Sequence, residues 1–346
     1  MLGFDQRAAR STWTAALVLL LLYLVFLARK TLFVFVLAML FAYMLAPLVN
    51  LLDRISPARR TRTAALAAVF AIVMAVAALL GFEIGTRVVE QASVLARSFP
   101  AMAASWQQPL PNDHSLQAQI VAKVRAEAAE RSSGLVSELP KYGMQVVGVA
   151  SNLIYLVIIP ILAFFFLKDA PTMRGHILDL MDEGPRRALV ADVLSDVNLL
   201  LAQYMRALFT LSMTAFAAYA IFFSVMRMPY PILLPAVAAL LEYIPMLGPV
   251  TSIALILLVA GLAGVSLWPV IAFVVLFRML QDYVVSPHLM GRGVELHPLL
   301  VLFGVFAGAE IAGIAGTFLS VPVLALARIV YLHIRKARLS ARQATA

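Results

Sequence analysis

The chain has 346 residues, 63% of them hydrophobic and 13% charged, with a mean hydropathy of +0.94. Soluble domains run to about 45–50% apolar and about 25% charged, so this composition excludes an ordinary globular enzyme, a disordered chain and a nucleic-acid-binding domain; the chain belongs in a bilayer. Its net charge of +9, from 27 Lys+Arg against 18 Asp+Glu, then reports orientation, and the absence of cysteine removes disulfides, zinc–thiolate sites, iron–sulfur clusters and thiol nucleophiles.

The first apolar run, Trp13–Ala28, is followed by Arg29-Lys30 and a second run, Thr31–Leu52. A cleaved signal peptide would need a small-x-small site before Arg29, and apolar sequence resumes at once, so the pair reads as a helical hairpin. The loop Asp53–Arg62 carries Arg54, Arg59, Arg60 and Arg62, and Thr63–Phe82 has the length of one span, about 20 residues. Residues 1–82 are therefore expected to form a three-span N-terminal scaffold.

Residues 83–143 mix both signs of charge, break at Pro111–Asp113 and contain helix formers such as Gln117–Arg131. They read as a small extramembrane insert of amphipathic helices. Tyr142–Leu167 is the fourth span, with a kink expected at Pro160. An amphipathic polar segment, Lys168–Arg206, completes a unit of residues 144–206, and Ala207–Val225 is the fifth span. The positive-inside rule puts residues 1–12, 53–62, 168–206 and the tail from Arg328 on one face, leaving only Arg29, Lys30 and Arg227 in short loops on the other. Both termini, including the basic tail 332–346, are expected to be cytoplasmic and the insert to face outward.

Residues 207–331 carry the functional signal. Pro231–Gly264 and Pro298–Tyr331 are each 34 residues long, too long for one span and too short for two. The first is interrupted by Glu242-Tyr243-Ile244-Pro245-Met246-Leu247-Gly248-Pro249 and the second by Gly308-Ala309-Glu310-Ile311-Ala312-Gly313-Ile314-Ala315-Gly316. Proline removes a backbone donor and clashes with the preceding turn, so a continuous helix through 242–249 is not expected. Each run is either a re-entrant hairpin or one long, tilted and kinked span. The uncharged segment Leu262–Leu267 and the region near Arg278 and Arg292 favour hairpins by the positive-inside rule. A span at 207–225 with its broken run, followed by a span at 267–284 with its own, makes two units of opposite entry direction. Such inverted repeats point to a secondary transporter with its site where the breaks meet. The expected fold is thus an all-α integral membrane protein of about eight hydrophobic segments: six full spans, two re-entrant helical hairpins forming an inverted repeat, and a small α-helical extramembrane insert.

Glu242, Arg278, Gln281, Asp282 and Glu310 lie in or beside apolar sequence. An ionisable group inside a bilayer costs at least about 2.5–3.5 kcal/mol on insertion scales, so these side chains are candidates for a substrate or ion pathway, along with Tyr243, Pro245, Gly248, Pro249, Gly313 and Gly316 around the breaks. Glu242 and Glu310 could bind a cation or exchange a proton, or each could cap a broken helix; Arg278 and Asp282, spaced i,i+4, suit an ion pair. Gly304, Gly308, Ala312 and Gly316 also permit close helix packing. His288 and His297 flank Gly291-Arg292-Gly293 at poor metal-ligand spacing, and no metal, cofactor or catalytic site is expected. No HExxH, GxSxG, Walker A or GxGxxG pattern occurs, so no enzymatic activity is expected.

Several stretches together resemble the autoinducer-2 exporter family, or PerM-type permeases. They are Ile159-Pro160 running into Phe164-Phe165-Phe166-Leu167-Lys168-Asp169, Tyr204-Met205-Arg206, Tyr243-Ile244-Pro245 with Gly248-Pro249, and Gln281-Asp282-Tyr283-Val284-Val285-Ser286-Pro287. The resemblance continues through Gly291-Arg292-Gly293-Val294-Glu295-Leu296-His297-Pro298 and Gly313-Ile314-Ala315-Gly316 to Pro322. It implies a bacterial inner-membrane homo-oligomer that exports a small signalling solute, autoinducer-2, or in some members exchanges sodium or lithium for protons. Two positions depart from the pattern: Ala207 stands where glycine is common, and Glu242 where a small or apolar residue is frequent. The second turns the expectation toward coupling with H+ or Na+. A non-transporting scaffold using 83–143 for assembly, and a channel, are the other classes.

Overall fold

A computed structural model describes residues 6–55, 62–106, 153–290 and 296–344. Among these the chain is all-helical, in the order α1 Gln6–Leu27, α2 Arg29–Ile55, α3 Arg62–Trp106, α4 Leu153–Asp179, α5 Pro185–Val225, α6 Leu233–Leu241, α7 Leu247–Leu262, α8 Leu267–Leu280, a π-helical turn Gln281–Val285, α9 Ser286–Met290 and α10 Pro298–Ala344. Six of the described helical stretches are long and apolar enough to cross a membrane: Arg10–Leu27, Arg29–Ala46, Leu66–Ser98, Pro185–Val225, Leu267–Leu289 and Pro298–Leu339. Most of the expected insert, residues 107–143, lies outside the described residues, as does Gly291–Glu295.

Several boundaries drawn from charge are not helix boundaries. Only Ala28 separates α1 from α2, and i→i−4 bonds reach into and out of it, Ala28 N–H to the Leu24 carbonyl and Leu32 N–H to the Ala28 carbonyl, both at 2.9 Å. One residue cannot reverse two helices, so the expected hairpin at Arg29-Lys30 is corrected to a near-continuous passage; two charges do not stop a helix when the residues around them are good helix formers. Likewise α3 runs through residue 83 without a break for 45 residues. That is about 67 Å, roughly twice the hydrocarbon core, so its second half continues beyond the apolar run. The polar segment expected at 168–206 is divided between the end of α4 and the start of α5, with a turn only around Met181–Gly184. Pro185 opens α5, where its missing N–H costs nothing, and the helix then runs unbroken through Arg206 into the fifth span. Pro160 lies within α4, which stays helical across it.

Packing is organised around α5. One cluster joins Tyr219 and Phe223 of α5 to Leu234, Ile256, Val270 and Phe277 of α6, α7 and α8. Aromatic contacts knit it: the rings of Phe222 and Phe273 stack at 3.9 Å, and Tyr219 meets Phe277 edge-on at 5.1 Å. A second cluster joins Tyr204, Met205 and Leu208 of α5 to Leu40 of α2 and to Val321 and Ala325 of α10.

The first broken run is interrupted where the prolines predict. α6 ends at Leu241, a tight turn follows with Met246 at φ +62°, and α7 begins at Leu247. A helix end leaves four carbonyls without partners, a severe cost where water is absent. Here all four are satisfied. Ala238 accepts from Glu242 N–H, Leu240 from Tyr243 N–H and Leu241 from Ile244 N–H, while Ala239 accepts from the buried Ser212 hydroxyl of α5 at 2.7 Å. A Cβ on Gly248 would overlap the Leu241 carbonyl oxygen, which is why the turn requires glycine there.

The second run breaks at two residues. Inside α10, Ala312 (φ −142°, ψ 20°) and Gly313 (φ 60°, ψ −139°) leave helical geometry. The segments on either side pack on each other: Gly308 and Gly316 touch backbone to backbone, and Gly304 lies against Ser320 and Leu324. Glycine at these positions removes the side chains that would hold the two backbones apart.

Candidate functional site

The first break and the C-terminal end of α8 are brought together around one arginine. Arg278 directs Nη1 to Glu242 Oε1 at 3.1 Å, and its Nε and Nη2 to the two oxygens of Asp282 at 3.0 and 2.8 Å. Gln281 completes the network, donating from Nε2 to Glu242 Oε1 at 2.8 Å and accepting from Arg278 Nη1 at 3.3 Å. The i,i+4 pair foreseen from the sequence therefore exists, in the two-pronged geometry that guanidinium groups favour. Glu242 occupies the position closing α6, yet its carboxylate is spent on side chains of α8 and the π turn rather than on a backbone N–H.

Burial grades the three charges. The side chain of Glu242 is 8% exposed, that of Arg278 26% and that of Asp282 48%. One cation thus lies between a buried and a half-open carboxylate, and the cluster as a whole carries one negative charge in excess. Such a group is tolerated in an apolar setting only because each charge has a partner. Its local scaffold is the π turn. Pro287 has no N–H to offer the carbonyl four residues back, and the turn before it widens to π geometry, a form frequent at functional positions. In that turn Gln281 is buried at 1% exposure while its neighbour Asp282 is exposed.

Tyr243, next to Glu242, reaches the other broken run: its ring lies 6.0 Å from that of Phe318, beyond the second break. Pro245 is half-buried in the turn, and Gly248 and Pro249 are buried at the start of α7. Glu310 does not join the network. It is exposed and makes no hydrogen bond or ion pair among the described residues, and Gly313 beside it is exposed too, whereas Gly316 is half-buried against Gly308. His288 turns its Nδ1 to the Val284 carbonyl at 2.6 Å, and no group of metal-ligating side chains occurs among the described residues.

Sequence reasoning missed two polar groups near this site. Ser212 holds the freed Ala239 carbonyl, as described above. Tyr204 is 3% exposed, and its buried hydroxyl has no hydrogen-bond partner among the described residues, in the same cluster as Tyr243 and Phe318. Neither stands out in the sequence, because a serine or tyrosine within an apolar helix is ordinary.

The chain is similar to several proteins named as transport proteins or permeases. A Bacillus subtilis protein named "Putative transport protein YrrI" is 29% identical over 55% of this chain and 55% of its own. Another from the same organism, "Putative transport protein YueF", is 22% identical over 93% of this chain and 92% of its own. "Putative permease PerM" of Escherichia coli is 24% identical over 85% of this chain and 84% of its own. The description AI-2E family transporter matches residues 15–336, nearly the full length, and the chain belongs to that family of multi-pass membrane transporters.

Proposed function

We propose that the chain is a secondary transporter that exports a small solute, an autoinducer-2-like signalling molecule or a related metabolite, with Glu242 coupling the movement to H+ or Na+. The carrying observation is the Glu242–Arg278–Asp282 network, which links the first broken run to the π turn with one carboxylate more than it has cations. A cation entering beside Glu242 competes with Arg278, and Arg278 has a second anchor ready in Asp282. Exchange of Arg278 between the two carboxylates alternates the charge at the break without ever leaving an ion unpaired. Sodium or lithium/proton antiport is the variant of the same mechanism in which the cation itself is the cargo.

In this reading both broken runs are re-entrant hairpins and the units 207–264 and 267–331 form an inverted repeat, with the pathway between the breaks. The contacts of Gly308 with Gly316 and of Gly304 with Leu324 support a reversal of the second run, and the Tyr243–Phe318 contact supports a meeting of the two. Glu310, exposed beside the second break, faces water or a second copy of the chain, since lipid would penalise its charge. α1 to α3 serve as scaffold in a homo-oligomer in the bacterial inner membrane. The basic tail is cytoplasmic and the insert outside.

The test is flux in liposomes containing the purified chain, with autoinducer-2 loaded inside or a sodium gradient read by an internal pH-sensitive dye. Glu242→Gln is expected to abolish ion dependence while leaving assembly intact. Unchanged coupling in Glu242→Gln would remove the assignment.

A further inference from the structure

The second half of α3, beyond the apolar run, bears on the far end of α6 rather than on the break. Val88, Gln91, Ala92, Leu95 and Ser98 repeat at three- and four-residue spacing, so they form one stripe of the helix, and each is half-buried. Val88, Ala92 and Leu95 pack on the cluster around Tyr219 and Leu234, while Arg87, Glu90 and Arg97 on the other side are exposed. The two polar members of the stripe both grip the loop leading into α6. Gln91 Oε1 accepts from Ile232 N–H at 3.1 Å and from Leu233 N–H at 2.9 Å, across 141 and 142 positions of chain. Ser98 Oγ and the Tyr230 hydroxyl share a hydrogen bond of 2.8 Å.

The loop so held is strained. Arg227 and Tyr230 both have left-handed backbone, φ +50° and +59°, with no glycine at either position. Such geometry in residues with side chains persists only where the surroundings impose it. The surroundings here are Gln91 and Ser98 at the Tyr230 end, the burial of Met228 and Tyr230 in the cluster, and the bonds of Arg227 and Met228 N–H to the end of α5. Together with Leu234 N–H to the Tyr230 carbonyl and Ala236 N–H to that of Ile232, Gln91 satisfies the opening donors of α6, Pro235 having none.

We propose that the α3 extension is a latch on the first broken run. Gln91 and Ser98 hold the strained loop 227–232 and the N-terminus of α6 in the conformation described, and transport requires this latch to release and re-form. Gln91 is a positioning residue: it acts on the pathway through α6, whose other end carries Glu242. The inference rests on the transport reading above. It also gives residues 83–106 a role in the working cycle.

The cysteine-free chain allows a direct test. Cysteines replace Ser98 and Tyr230, and a short bis-methanethiosulfonate linker joins them in liposome-reconstituted protein assayed with both the autoinducer-2 and the sodium-gradient probes. Bridging is expected to lower the rate by about tenfold or more, as for a step gated by a conformational change, and a reductant to restore it. Full-rate flux through the bridged protein overturns the latch and leaves the transport reading intact; absence of flux from the unsubstituted chain with both probes overturns both. A second pair covers a cysteine variant that fails to assemble. Gln91→Glu keeps an acceptor for both N–H groups and is expected to retain flux within about twofold, its charge favoured at a helix N-terminus. Gln91→Leu is expected to lower the maximal rate without changing half-saturation. Equal rates in the two variants, or a change confined to half-saturation, overturns the proposal.

Discussion

Gln281 and Glu242 meet at 2.8 Å although 39 positions separate them, and this contact fixes the first break against the π turn. Gln281 is neutral and Glu242 is charged, so the bond orients the carboxylate without cancelling it. That leaves Arg278 as the only cation on Glu242 among the described residues. Removing Arg278 alone therefore strands a nearly buried carboxylate. Arg278→Ala is expected to destabilise the protein by ~3–5 kcal/mol, whereas the double substitution Glu242→Met with Arg278→Met is expected to recover most of that. Thermal unfolding of both variants in detergent measures the difference; equal losses would mean that the pair is not a unit.

Gly308 and Gly316 approach so closely that a Cβ on either would overlap backbone of the other. Gly308→Ala and Gly316→Ala are each expected to cost about 1–3 kcal/mol by forcing the two segments apart. Gly81→Ala and Gly85→Ala, in α3 with open space around both positions, are expected to stabilise by ~0.5–1 kcal/mol. The four variants compared by thermal unfolding separate close packing from a general effect of glycine.

The buried Tyr204 hydroxyl has no partner among the described residues, so its removal sacrifices no bond described there. Tyr204→Phe is expected to leave stability unchanged or raise it, by up to ~1–3 kcal/mol, the cost of burying an unsatisfied polar group. Loss of stability on this substitution would show that the hydroxyl is hydrogen-bonded in the membrane.

Re-entrant runs and ordinary spans give opposite topologies for the loops around α8. Single cysteines at Ser266 and Ser286 are expected to react with a membrane-impermeant maleimide from outside and from inside respectively. The reverse pattern would restore full spans at 231–264 and 298–331.

How far the sequence disclosed this structure depended on the range of the interaction concerned. Pro245 and Pro249 mark the first break directly, because proline acts on its own turn. The Arg278–Asp282 pair follows from i,i+4 spacing alone. The arrival of Glu242 beside them does not, since it needs the tertiary packing of α6 on the end of α8. Glu310 looked equivalent to Glu242 by its place beside a break, yet the structure leaves it exposed and outside the network. The direct passage from α1 into α2, and the continuation of α3 past residue 83 and of α5 through residue 206, are not legible for a related reason. Charge does not mark where a helix ends, and α3 and α5 continue as helices across residues 83 and 206. Gln91 escaped notice because a glutamine on an amphipathic helix carries no signal until its partner is known.

The uninterrupted course of α5 has a mechanical consequence. At 1.5 Å per residue, Asp196 and Tyr219 lie about 35 Å apart on one rod. Along that rod Asp196 touches His333 near the far end of α10 at 3.4 Å, Tyr204 shares a cluster with Val321, Ser212 holds Ala239, and Tyr219 meets α8. A helix without a hinge cannot shorten, so any sliding of one broken run along α5 must be matched by slippage at another of these grips. In the proposed transport cycle the rod is therefore a ruler common to both broken runs.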